Sequence, residues 1–290
     1  MPNPIDERRQ QHEIEIDAPI ETVWKAITEA EQITCWLCEQ ARIEPGQGGT
    51  LWISWGEGME GTGIIEGWEP PRVFRIKLAG EMPEKAVEGE STPGPPVMFN
   101  EYILESRGSR TVLRLVHSGI PSASSWDSYY DSTDRGWQLF LLALRHYLEK
   151  HSGKPRKTAM IMRPITGTVV DSWKKLTTGL GIGENISAPD SLEKANSMTA
   201  MPRFEAQTSF GTRIAGEVYT IQAPRSLLMN IETLDDALFT ATFDEMGGTT
   251  FFYATLATFG DTAASKETRE RWTAWLNEML PTPPQSTEGE

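Results

Sequence analysis

The chain has 290 residues, room for about two ordinary domains, and 38% of them are apolar, as in a globular protein. Its net charge of −14 argues against nucleic acid as a partner, because such binding relies on Lys and Arg displacing condensed counterions. No run is long and apolar enough to span a bilayer and the N-terminus (Met1 to Gln11) is polar, so a cytoplasmic protein without membrane insertion is expected.

In chain order, His12 to Asp17 alternates Ile14 and Ile16 with acidic residues and predicts a strand. Pro19 opens a helix in which Ile20, Val23, Trp24 and Ile27 share one face. Cys35 and Cys38 are the only cysteines. Zinc would need two further ligands and a redox motif would need a βαβ setting, so neither a metal nor a cofactor is expected. Gly46 to Gly49 turns the chain, and Leu51, Ile53 and Trp55 alternate along the next strand. Gly80 to Pro96 reads as a loop, and Val97 to Ser106 with Thr111 to His117 as a hairpin. Trp126, Tyr130, Trp137, Leu141, Leu144 and Leu148 then recur at helical spacing, on a helix of about 25 residues.

The pattern repeats. Gly63 and Pro71-Arg72 match Gly216 and Pro224-Arg225, each 153 residues further on. Both stretches read as a strand, a Pro-Arg turn and an apolar strand. Upstream of each lies a helix centred on a tryptophan, Trp24 or Trp173. Downstream come a hairpin turn, at Arg107-Gly-Ser109 or Met246-Gly-Gly248, and a closing helix bearing tryptophan. This is a two-copy duplication, with domains expected at 10–152 and 158–281 and a disordered tail at 282–290. In the second copy Ala159 to Ile165 is the first strand, Thr168 with Asp171 caps a helix, and 183–202 is a polar, mobile connection. Trp272, Trp275, Leu276 and Met279 form its closing stripe, with Ser265 as N-cap.

Ile16-Asp-Ala-Pro19, Glu21, Val23-Trp24 and Ala26-Ile27-Thr28 resemble the opening of the SRPBCC superfamily, and more narrowly the branch related to the C-terminal domain of activators of the heat-shock protein 90 ATPase. Gly48-Gly49, Glu69-Pro-Pro-Arg-Val-Phe74, His117-Ser-Gly-Ile120 and Gly136-Trp137 follow in that family's order. The second copy lacks Ala-Pro before its helix and carries Ala254-Thr-Leu-Ala257 in place of the His117 stretch, so it resembles the family as a degenerate copy. The resemblance implies a START-like, helix-grip α+β fold like that of birch-pollen allergens. In it a curved antiparallel sheet wraps a long C-terminal helix with a cavity between them. It also implies a lipid- or polyketide-like ligand or, alternatively, a chaperone protein as partner.

The first copy holds seven of the ten tryptophans, and aromatic side chains often line ligand pockets. The candidate pocket is therefore assigned to Trp36, Trp52 and Trp55, to Phe99 and Tyr102, to His117, and to Trp126, Tyr130, Trp137 and Leu141 of the closing helix. His117, Glu101 and Asp127 are the options for an acid or base, and Tyr102 and Glu101 lie on opposite faces of one strand. Arg72 and Arg225, present in both copies, are read as structural. No phosphate loop, nucleophile elbow, zinc motif or triad spacing is present, so no catalytic residue is assigned. The expected function is binding of a small apolar molecule. The alternatives are a protein-interaction module of the chaperone-activator kind and a cyclase or hydrolase of the same superfamily.

Overall fold

The computed structural model describes residues 7–79, 96–183, 186, 188–246 and 248–280. The loop expected from Gly80 and the tail at 282–290 lie outside the described residues. The chain divides into two compact units, Met1–Lys154 and Pro155–Glu290.

The first unit runs β1 (Glu7–Ile16), α1 (Ile20–Thr28), α2 (Ala30–Ile33), β2 (Gln40–Ile43), β3 (Thr50–Ser54), β4 (Glu60–Glu69), β5 (Val73–Ala79), β6 (Val97–Arg107), β7 (Arg110–Pro121), a 3-10 turn (Ser124–Trp126) and α3 (Asp127–Lys150). Its seven strands are antiparallel neighbours in the order β1-β7-β6-β5-β4-β3-β2. On β1 the side chains alternate as period two requires: Ile14 and Ile16 are fully buried, while Glu13 and Glu15 face out and pair with Arg114 and Arg110. The strand starts at Glu7, five residues before the expected start at His12. This brings Gln10 and His12 onto the same face as Ile14. In α1 the buried Val23, Trp24 and Ile27 form the core stripe.

The second unit runs β8 (Arg156–Pro164), α4 (Val169–Leu180), α5 (Leu192–Ser197), β9 (Arg203–Gln207), β10 (Arg213–Gln222), β11 (Ser226–Ile231), β12 (Ala237–Met246), β13 (Thr249–Phe259) and α6 (Ala263–Met279). The sheet order is β8-β13-β12-β11-β10-β9, which is the first unit's order with one edge strand fewer. The stretch expected to be a mobile connection contains α5, opened by the Ser191 side chain accepting from the Lys194 N–H and anchored by buried Leu192 and Ala195. Thr168 caps α4 as expected, by accepting from Asp171 N–H at 3.0 Å. The cap of α6 is Thr262 and not Ser265. Thr262 Oγ1 accepts from Ser265 N–H at 3.1 Å, and Ser265 Oγ accepts from Thr262 N–H at 3.2 Å. Serine at the third helical position here plays the part that Glu or Gln usually plays in such a box. Thr262→Ala removes one half of it and is expected to cost the second unit about 1 kcal/mol, read from urea unfolding. An unchanged midpoint would mean that water caps this end as well as threonine does.

The duplication extends to backbone detail. Gly63 pairs with Leu78 across β4–β5, and Gly216 with Ile231 across β10–β11. Both hairpins carry a register shift at the same place, between Ile65 and Gly67 and between Val218 and Thr220. At the turns, Arg72 N–H donates to Glu69 O and Arg225 N–H to Gln222 O, at 2.6 and 2.7 Å. The carbonyls of the same arginines accept from Leu104 and Phe243, both at 2.8 Å. Arg225 also donates from Nη1 to Phe243 O at 3.2 Å, which gives this repeated arginine a structural role.

Candidate functional site

Directly opposed residues on neighbouring strands share a face, with Cβ atoms about 5 Å apart. One such row crosses the first sheet: Gln10 on β1 pairs with His117 on β7, His117 with Asn100 on β6, and Asn100 with Ile76 on β5. The row faces α3. Gln10 Nε2 donates to Tyr130 O at 2.6 Å and to Thr133 Oγ1 at 3.0 Å, and the Trp137 indole N–H donates to His117 Nδ1 at 3.0 Å.

Gln10, His117 and Asn100 are 2%, 2% and 8% exposed. Each keeps one buried polar atom without a protein partner: Gln10 Oε1, His117 Nε2 and Asn100 Oδ1. Leaving such an atom unsatisfied costs about 1–3 kcal/mol, so three in one row are an expensive arrangement for a mere core. Chemistry fixes the histidine's tautomer. An indole N–H can only donate, so Nδ1 must carry a lone pair and the proton resides on Nε2. Burial, with the nearby His12 adding to it, lowers the His117 pKa to about 4, and the ring is neutral at physiological pH. The unpartnered nitrogen therefore offers a hydrogen-bond donor and not a base.

Aromatic rings extend from this row. Tyr102 is stacked on Phe74 with centroids 5.8 Å apart and meets Trp137 edge-on at 6.3 Å. Burial, with Cys38 adding to it, raises the Tyr102 pKa above its ordinary value, so it stays a neutral phenol. Trp137 leads through Phe140 to Trp55, and His117 through Tyr129 to Trp126. Trp126 precedes α3 and packs with Met98 and Ile120. Tyr130 lies over the start of β1, under the Arg8 guanidinium at 4.7 Å. Leu141 is fully buried on α3.

Three candidates stand elsewhere. Phe99 neighbours Met98 and Asn100 on one strand and so points to the opposite face, where it packs under Arg75 at 4.2 Å. Trp52 pairs with Arg42 across β2–β3 and carries that guanidinium 4.6 Å above its ring. Trp36 is buried, but its N–H is taken by Ala26 O at 2.8 Å, bracing the segment after α2 onto α1. Of the acid or base options, Glu101 is on the Phe99 face and pairs with Arg75 at 3.4 Å. Asp127 is mostly exposed and pairs with Arg8. Cys35 and Cys38 are buried thiols outside any disulfide, and among the described residues no group of three or more His, Cys, Asp or Glu is placed to hold a metal.

Gln10 and Asn100 went unrecognised in the sequence, and so did the pair His12 Nε2–Asp134 Oδ1 at 3.2 Å beside them. Burial raises the Asp134 pKa, but His12, Gln138 and Arg135 outweigh it and hold the carboxylate below its ordinary value.

The second unit has the same lattice with different chemistry. Where the first has Gln10, His117, Asn100 and Ile76, the second pairs Ala159, Leu256, Phe239 and Met229 in the same order. All four are 3% exposed or less. The adjacent row, His12, Leu115, Tyr102 and Phe74, becomes Ile161, Ala254, Ala241 and Leu227. Trp272 on α6 packs on Phe239 at 5.1 Å, and its indole N–H has no partner.

Two tandem α+β units, each a curved antiparallel sheet closed by a C-terminal helix, define a duplicated helix-grip protein, with a polar row under the helix in one unit and a filled apolar row in the other. Residues 17–149, within the first unit, match the model of the family described as activator of Hsp90 ATPase homolog 1-like protein. A comparison with curated proteins finds no match. Among solved structures, the chain is similar to protein MLL2253 from Mesorhizobium loti at 21% identity, covering 50% of this chain and 98% of that one, with a TM-score of 0.42. It is similar to the Aha1 dimer from Colwellia psychrerythraea at 22% identity, covering 50% and 99%, with a TM-score of 0.39. The di-domain ARO/CYC BexL from the BE-7585A biosynthetic pathway matches at 15% identity over 96% of this chain and 100% of that one, with a TM-score of 0.41. Among the described residues no helix is long and apolar enough to cross a membrane.

Proposed function

We propose that the first unit binds a small, largely apolar molecule between its sheet and α3, and that the second unit is a filled copy of the same grip. The observation that carries this reading is the buried row Gln10–His117–Asn100, whose three unpartnered polar atoms have no counterpart at Ala159, Leu256 and Phe239. Aromatic rings on both sides supply apolar contact, and the polar atoms orient the guest, as in small-molecule sites generally. A neutral His117 that presents an N–H favours binding over base catalysis.

The protein-docking alternative would draw support from a contiguous exposed apolar patch. In the first unit, the large exposed apolar side chains among the described residues are Ile64 and Val97, on strands separated by β5.

The test is a titration of the full chain with N-phenyl-1-naphthylamine, a neutral apolar fluorophore. The native chain is expected to enhance its emission saturably. The double variant Asn100→Phe with His117→Leu places the second unit's residues in the first unit's row and is expected to abolish the enhancement. A native chain that does not enhance emission, or a folded double variant that matches it, overturns the reading.

A further inference from the structure

The geometry points to the class of guest: a neutral molecule whose apolar body carries one hydroxyl, an alcohol or a phenol, with that hydroxyl seated at His117 between Asn100 and Gln10. This rests on the binding reading above and adds the chemistry that the row selects.

The three unpartnered atoms are not alike. His117 Nε2 carries a proton and donates, because Trp137 holds Nδ1 as the acceptor. Gln10 Oε1 accepts, and its orientation is fixed because the amide nitrogen meets two acceptors, Tyr130 O and Thr133 Oγ1. Asn100 Oδ1 accepts. A donor at the centre of the row is thus flanked on both neighbouring strands by acceptors.

A hydroxyl has lone pairs for the His117 N–H and a proton for one of the flanking oxygens. A ketone would take the His117 proton and leave both oxygens unmatched. An ammonium would meet the oxygens but oppose the N–H. A carboxylate would bring a buried charge against two amide oxygens, with one neutral donor to offset its desolvation. The Asp134 carboxylate, paired with His12 on the adjacent inner row of β1, adds to the bias against an anion.

The test uses three guests of one ring system on the full chain at neutral pH: naphthalene, 2-naphthol and 2-naphthoate, with affinities read from tryptophan fluorescence. 2-Naphthol is expected to bind about tenfold more tightly than naphthalene, the value of one well-made hydrogen bond, and naphthoate more weakly than either. His117→Phe is expected to bring 2-naphthol to the naphthalene level. Should that variant not fold, Gln10→Leu with Asn100→Leu, which removes both acceptors and leaves the Trp137–His117 bond in place, is used instead and is expected to narrow the gap between 2-naphthol and naphthalene. Equal affinity for naphthalene and 2-naphthol, or tightest binding of naphthoate, overturns the hydroxyl assignment and leaves the binding reading standing. Failure of all three guests also overturns it, and the N-phenyl-1-naphthylamine titration then decides whether the binding reading falls too.

Discussion

Gly216→Ala is expected to destabilise the second unit by about 3 kcal/mol, toward the upper end of what overpacking a well-packed site costs. A Cβ at Gly216 would lie 2.1 Å from the backbone oxygen of Asn230, and backbone in the middle of a sheet cannot swing aside. The equivalent Gly63 meets the equivalent carbonyl, Lys77 O, at 2.9 Å, and the Ile76 and Leu78 side chains at 2.4 and 2.9 Å. Side-chain methyls yield more readily than a carbonyl, so Gly63→Ala is expected to destabilise the first unit by a smaller amount, about 1–2 kcal/mol. Because two units need not unfold together, the measurement is hydrogen exchange resolved by unit, with each variant lowering protection in its own half. If both alanines change protection by less than about 0.5 kcal/mol, an ordinary surface effect, the close strand approach at these glycines is not what holds them.

Those two glycines also explain why the duplication was legible. A position that excludes a side chain constrains sequence through the main chain, so Gly63 and Gly216 carry the same signal while their neighbours differ. The closing helix was legible for a different reason: large apolar side chains at helical spacing leave a periodic trace.

The site was only half legible. Trp137, His117 and Tyr102 stand out as rare residue types, but Gln10 and Asn100 are amides that occur anywhere on a surface. Only the strand register, with Gln10 opposite His117 and His117 opposite Asn100, turns them into a site. The polar start of β1 hid the first of them, because a strand whose inner face carries Arg8, Gln10 and His12 lacks the apolar alternation that marks a strand. Parity could have separated Phe99 from Tyr102. Residues three apart on one strand point to opposite faces, so the two could never line one pocket.

Acid is expected to destabilise the first unit through His117 well before its carboxylates are protonated. The imidazole has a pKa of about 4 in the fold against an ordinary 6.5. Between these values the unfolded chain binds the proton and the folded chain does not. The sign follows: the stability this residue contributes is whole above pH 6.5 and is lost as pH falls toward 4. The total is on the order of 3 kcal/mol. The physical cause is local. Protonation would place a second N–H at Nδ1 against the indole N–H of Trp137, which cannot accept, and would bury a charge next to His12. His117→Leu, the residue that the second unit carries at Leu256, removes the titration while leaving the His12–Asp134 pair in both proteins. Urea midpoints taken from neutral pH down to about pH 4.5 should therefore fall more steeply for the native chain than for His117→Leu, the spread of the two curves isolating this one histidine. Parallel curves would mean that His117 is solvated enough to take a proton in place. The Trp137 bond would then not hold the tautomer, and the donor at the centre of the polar row would be lost with it.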